Sequence, residues 1–79
     1  MGYFSIRVIN SKGKPLKGVK VFISYGIWYG HNEEYTDSDG WVKFDNLDDY
    51  LTSGEIYIYS KSYGTISARS GKSYSFTVD

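Results

Sequence analysis

Apolar side chains recur at every second position of this chain, in short runs broken by turn residues every 8–12 positions. Alternation is the signature of a strand with one face buried, because successive side chains of extended backbone point to opposite sides. From Tyr3 to Asn10, Phe4, Ile6 and Val8 share one face, and Ser5 and Arg7 the other. Val19, Val21 and Ile23 repeat the pattern against Lys20, Phe22 and Ser24. Glu33 to Thr36 reads as a short strand, and Val42 and Phe44 alternate with Trp41, Lys43 and Asp45. In Glu55 to Ser60, Ile56 and Ile58 oppose Tyr57 and Tyr59. Ile66 and Ala68 mark a weaker strand, and Tyr74, Phe76 and Val78 a last one between Ser73 and Asp79. No pattern of helix length appears, so the spacing predicts an all-β antiparallel sandwich of about seven short strands in one domain, residues 1–79.

The turns are equally legible. Asn10-Ser11-Lys12-Gly13-Lys14-Pro15 is a turn cluster, and Pro15 cannot occupy a central strand. Asp39-Gly40 supplies residues that tolerate positive φ and predicts a tight hairpin joining the runs before and after it. Tyr25 to Asn32 breaks the alternation with two glycines and reads as a loop rich in aromatics. Asp45 to Gly54 reads as a connection, with room for one helical turn through Leu47, Tyr50 and Leu51. Ser62-Tyr63-Gly64 and Ser70-Gly71-Lys72 read as turns.

With no cysteine, stability must come from packing. A chain of 79 residues buries only about 60% of its unfolded surface. Nine Tyr, four Phe and two Trp supply large packing units, and they favour strands over helices. Net charge is zero, which argues against general binding to nucleic acid or a membrane surface. The charge is unevenly spread. Residues 1–32 hold Arg7, Lys12, Lys14, Lys17 and Lys20 and no acid, whereas residues 33–55 hold eight acids and only Lys43. Two solvated faces that neutralise each other on folding account for this, and a dipolar surface that orients a partner is the alternative. No apolar run approaches the ~20 residues that span a bilayer. A signal peptide is not expected, since no apolar stretch follows a basic start. The chain then either stays where it is made or is a module of a longer exported protein.

The order Ile6-Arg7-Val8, then Lys12-Gly13-Lys14-Pro15-Leu16-Lys17-Gly18-Val19-Lys20-Val21, then Thr36-Asp37-Ser38-Asp39-Gly40-Trp41-Val42-Lys43-Phe44-Asp45-Asn46-Leu47 resembles the carboxypeptidase-regulatory-like, or prealbumin-like, β-sandwich superfamily. It is similar to the B-repeats of bacterial collagen adhesins. The resemblance covers about two thirds of the chain, and it implies an Ig-like sandwich and an extracellular or cell-surface setting. It also implies that Gly13 and Pro15 turn the chain, that Gly18 allows close backbone approach, and that Leu16 and Leu47 plug the ends of the core. Adhesin repeats often carry a Lys–Asn isopeptide bond. The last strand here has no Asn, so none is expected. Relatives that hydrolyse hydroxyisourate need several histidines and a C-terminal Tyr-Arg-Gly-Ser, and this chain has one His and ends Phe-Thr-Val-Asp.

No catalytic signature stands out, and the chain reads as a non-enzyme that needs no cofactor. Asp37, Asp39, Asp45, Asp48 and Asp49 could offer oxygen ligands to calcium, yet they lack the further ligands of a calcium loop and read first as turn-forming residues. His31 has no second His or Cys for a metal site and reads as an exposed loop residue. The aromatics carry the functional expectation. Alternation points Phe22, Trp41, Tyr57 and Tyr59 outward as a stripe, and Tyr25, Trp28, Tyr29 and Tyr63 add to the exposed aromatic surface. Such a surface exceeds what a monomer usually exposes. Tyr25, Trp28, Tyr29, Trp41, Tyr57 and Tyr59 are therefore the candidate binding residues. The expected partner is a protein, including a second copy of the chain. A carbohydrate stacked on Trp28, Tyr29 and Trp41 is an alternative, as is a selected binder, since segments 24–30 and 57–64 have the Tyr/Ser/Gly chemistry of paratopes.

Overall fold

The alternating runs form two layers that meet at their apolar faces. The computed structural model describes residues 2–47, 53–68 and 71–78. Its strands are β1 (Gly2–Ile9), β2 (Lys20–Ser24), β3 (His31–Tyr35), β4 (Trp41–Leu47), β5 (Ser53–Ile58), β6 (Lys61–Ser67) and β7 (Ser73–Thr77). One sheet has the order β4-β1-β7 and the other β3-β2-β5-β6. Neighbouring strands are antiparallel except β1 and β7, which run parallel.

Between the sheets lie Phe4, Ile6 and Val8 of β1, Val42 and Phe44 of β4, Val21 and Ile23 of β2, Ile56 and Ile58 of β5, and Ile66 of β6. Burying each such side chain contributes about 1.5–3 kcal/mol. Phe4 stacks on Phe44 at 5.1 Å and meets Tyr74 edge-on at 6.4 Å, which ties the three strands of the smaller sheet together from within. Leu16 packs against the core from the β1–β2 connection. The side chain of Leu47, the helical turn read through Tyr50 and Leu51, and Ser70 of the Ser70-Gly71-Lys72 turn lie outside the described residues.

The Asp39-Gly40 turn is a corner, not a hairpin. β3 belongs to the larger sheet and β4 to the smaller, so residues 36–40 carry the chain from one layer to the other. The corner is closed by hydrogen bonds. Val19 N–H donates to Thr36 Oγ1 at 2.9 Å, and that hydroxyl donates to the Leu16 carbonyl at 2.6 Å. Asp37 Oδ1 accepts from the backbone N–H of Asp39 and of Trp41, at 2.9 and 3.0 Å. The Gly40 carbonyl accepts from Val8 N–H at 2.8 Å, and Leu16 N–H donates to the Val8 carbonyl at 3.0 Å. A methyl group at Gly40 would sit 2.6 Å from the Val8 carbonyl oxygen. Close approach was expected at Gly18, but a Cβ there would meet nothing within 4 Å, and its φ of +74° is what that position requires.

Two strand ends also differ from the alternation. β3 starts at His31, earlier than expected, because Ser24 and His31 still pair. β5 stops at Ile58, and the turn falls at Tyr59-Ser60, not at 62–64, with φ of 53° and 64°. Residues 62–64 lie inside β6, where the register shift sets Tyr63 and Gly64 as a bulge against Ile56. A two-residue hairpin turn wants positive φ at both positions, and neither Tyr59 nor Ser60 is at ease there. Replacing Ser60 with glycine is expected to raise stability by about 1 kcal/mol, read as a higher urea midpoint at unchanged slope. An unchanged or lower midpoint would count against a strained turn.

Candidate binding surface

β2 and β3 end in a four-residue tip, Gly26 to Tyr29. Tyr25 N–H donates to the Gly30 carbonyl at 2.9 Å, and the N–H groups of Tyr29 and Gly30 both donate to the Gly26 carbonyl at 3.2 Å. Ser24 Oγ accepts from Gly26 N–H at 3.4 Å. These bonds turn the backbone tightly and leave the intervening side chains outside. Ile27 is 91% exposed, Trp28 85% and Tyr29 53%. Two large apolar residues in water cost free energy that the fold does not recover, and the tip projects them as a prong.

Tyr25 does not join it. The sequence reading placed Tyr25 outward, but the chain is still in register with β2 there, so its side chain follows Val21 and Ile23 inward and is 8% exposed. Its hydroxyl is buried and has no hydrogen-bond partner among the described residues. Burial disfavours the phenolate and pushes its pKa up to about 12.

The outward aromatics divide between two opposite faces and do not form a single stripe. Trp41 lies on the smaller sheet, paired with Arg7 of β1, whose guanidinium sits 5.7 Å from the indole centroid. Phe22 and Tyr57 are directly opposite each other on the larger sheet and pack edge-on at 5.9 Å. His31 is on β3 and not in a loop, and its ring stacks on Phe22 at 4.7 Å. Tyr59 follows at the β5–β6 turn, 60% exposed. On this face the Lys20 ammonium lies 3.0 Å from the Glu33 carboxylate, a basic residue of the first third meeting an acid of the second. The Glu33 hydrogen bond, followed by its charge, raises the Lys20 pKa. Glu55 accepts hydrogen bonds from the hydroxyls of Ser62 and Tyr57, and its bond to Tyr57 raises the phenol's pKa.

Lys20, Phe22, Ser24, Tyr57, Tyr59 and Ser60 together line an open groove of about 620 Å³ on the outer face of the larger sheet. The sequence pointed to Phe22, Tyr57 and Tyr59 in it, but not to Lys20, Ser24 and Ser60, because a groove arises from neighbouring strands and not from one strand's pattern. Ile27 was missed at the prong, although its position between two glycines in a stretch without alternation marks it as a residue that no sheet buries.

The acidic residues are spread out. Asp37 caps the corner, Asp45 lies 4.0 Å from Lys43 on the outer face of the smaller sheet, and Asp48 and Asp49 lie outside the described residues. Among the described residues no three His, Cys, Asp or Glu side chains are grouped to hold a metal ion, and no helix is long and apolar enough to cross a membrane. In comparisons of the sequence with known families and with curated proteins, nothing matches this chain.

Proposed function

We propose that this chain is a non-catalytic protein-binding module whose contact surface is the β2–β3 prong of Ile27, Trp28 and Tyr29. The exposure of Ile27 and Trp28 on a hydrogen-bonded tip carries this reading. A braced tip loses little conformational freedom on binding, and Trp is the residue type most often dominant in protein interfaces. The prealbumin-like reading of the sandwich rests on the sequence resemblance, whose two halves, Leu16 to Val19 and Thr36 to Gly40, meet at the corner through the Thr36 hydroxyl.

The test is site-specific photocrosslinking with benzoylphenylalanine at position 28 of the full chain, in extracts of the cells that make it. Position 41, on the opposite outer face, is the control. A discrete protein adduct from position 28 and none from position 41 is the expected result. No adduct at 28, or equal adducts from both, overturns the reading. In that case a tryptophan emission shift with one member of a polysaccharide panel would identify a sugar ligand instead.

A further inference from the structure

We propose that the partner of the prong is a second copy of this chain, whose sheet-face groove receives Ile27 and Trp28. The inference rests on the prong being a protein-binding surface and adds what it binds. Each copy carries both halves of the contact. The prong is convex, apolar and uncharged from residue 25 to residue 30. The groove is concave, about 620 Å³, and walled by Phe22, Tyr57 and Tyr59, with Lys20, Ser24 and Ser60 as its polar points. Mostly aromatic walls with a few convergent polar groups suit an apolar anchor with one polar atom, which describes an indole. The exposure of Ile27 and Trp28 means that a copy does not fill its own groove.

Three further observations favour this occupant. Lys20 lines the groove with its ammonium 3.0 Å from Glu33, which puts a cation at the edge of the space an indole would enter, and indole is the ring type that attracts a cation best. Tyr59 and Ser60 form the tight two-residue turn between β5 and β6, so the end of the groove that they line is set by the hairpin before any ligand arrives. Net charge is zero, so two copies approach without long-range repulsion. Prong and groove are different surfaces, so the contact is heterologous, and a copy that receives a prong still has its own to offer.

Sedimentation velocity of the full chain from micromolar to millimolar concentration tests this, with Trp28→Ser removing the prong and Ser60→Arg obstructing the groove. Both positions are exposed, and far-UV circular dichroism checks that each variant folds. The wild type should associate, and each variant should associate at least tenfold more weakly. Their equimolar mixture should regain a one-to-one pair, since one supplies the groove and the other the prong. A wild type that stays monomeric at millimolar concentration, variants that associate like the wild type, or a mixture that does not recover each overturns the proposal. If the wild type is monomeric while position 28 still crosslinks a different protein, self-association fails and the protein-binding reading stands; if neither occurs, both fail.

Discussion

Replacing Gly40 with alanine is expected to remove about 2–6 kcal/mol of stability, through backbone strain of about 1–3 kcal/mol and overpacking of about 1–3 kcal/mol. Gly40 has φ +79°, and a Cβ there would lie 2.6 Å from the Val8 carbonyl oxygen, 3.1 Å from Pro15 Cβ and 3.3 Å from Leu16 N. The nearest of these atoms, the Val8 carbonyl oxygen, and the Leu16 nitrogen are already committed to each other, since Leu16 N–H donates to the Val8 carbonyl, and Val8 N–H donates to the Gly40 carbonyl. They cannot withdraw without breaking the bonds that hold the corner, which is one of the places where the chain crosses between the two sheets. A domain of this size has only about 5–15 kcal/mol to lose, so the variant should unfold at much lower urea. Gly18→Ala is the control. It has a similar φ, +74°, and open space around the added methyl, so it should lose only about 1–2 kcal/mol. Equal losses at the two positions would show that the Val8 contact adds nothing.

Tyr25→Phe is expected to stabilise the fold by about 1–3 kcal/mol, the cost of a buried polar group left without a partner. The ring remains in the core and only the unpaired hydroxyl goes. The same substitution should change the alkaline limb of stability. In the fold the Tyr25 pKa is raised to about 12 from the ordinary 10.0. Between these values the unfolded chain releases the proton and the fold retains it, so stability falls as pH rises. The loss approaches ~2 kcal/mol near pH 12. Below pH 10 the contribution of this group is constant. The phenylalanine variant should therefore show a shallower decline than the wild type between pH 10 and 12, with the other tyrosines common to both. A lower urea midpoint at neutral pH would mean that the Tyr25 hydroxyl is satisfied, and identical alkaline limbs would mean that it is not desolvated in the fold.

The candidate surface was legible to different depths. Trp28 and Tyr29 stood out because two glycines interrupt the alternation around them, and the tip does expose them. Tyr25 misled because the break in alternation begins, on the sequence, one residue before the side chains cease to point inward. Trp41 was read as a neighbour of Phe22 and Tyr57. Each faces outward from its own strand, but a strand's pattern says only that a residue faces away from the core and not from which sheet. Tyr59 was read as a strand residue because alternation continues through it, while the backbone leaves the ladder at Ile58.

Alternation by itself determined which side chains of most strands face the core. Phe4, Ile6, Val8, Val21, Ile23, Ile56 and Ile58 are inside as their spacing requires, since extended backbone turns each successive side chain by half a revolution whatever the strand pairs with. The partners of each strand were decided only by tertiary structure. An Asp-Gly turn satisfies its own hydrogen bonds equally well in a hairpin and in a corner. The choice is made by distant groups, here the Thr36 hydroxyl between Leu16 and Val19 and the Val8 carbonyl against Gly40. The groove has the same origin, since Phe22 and Tyr57 lie 35 residues apart in the chain and are brought side by side by the β2–β5 ladder alone.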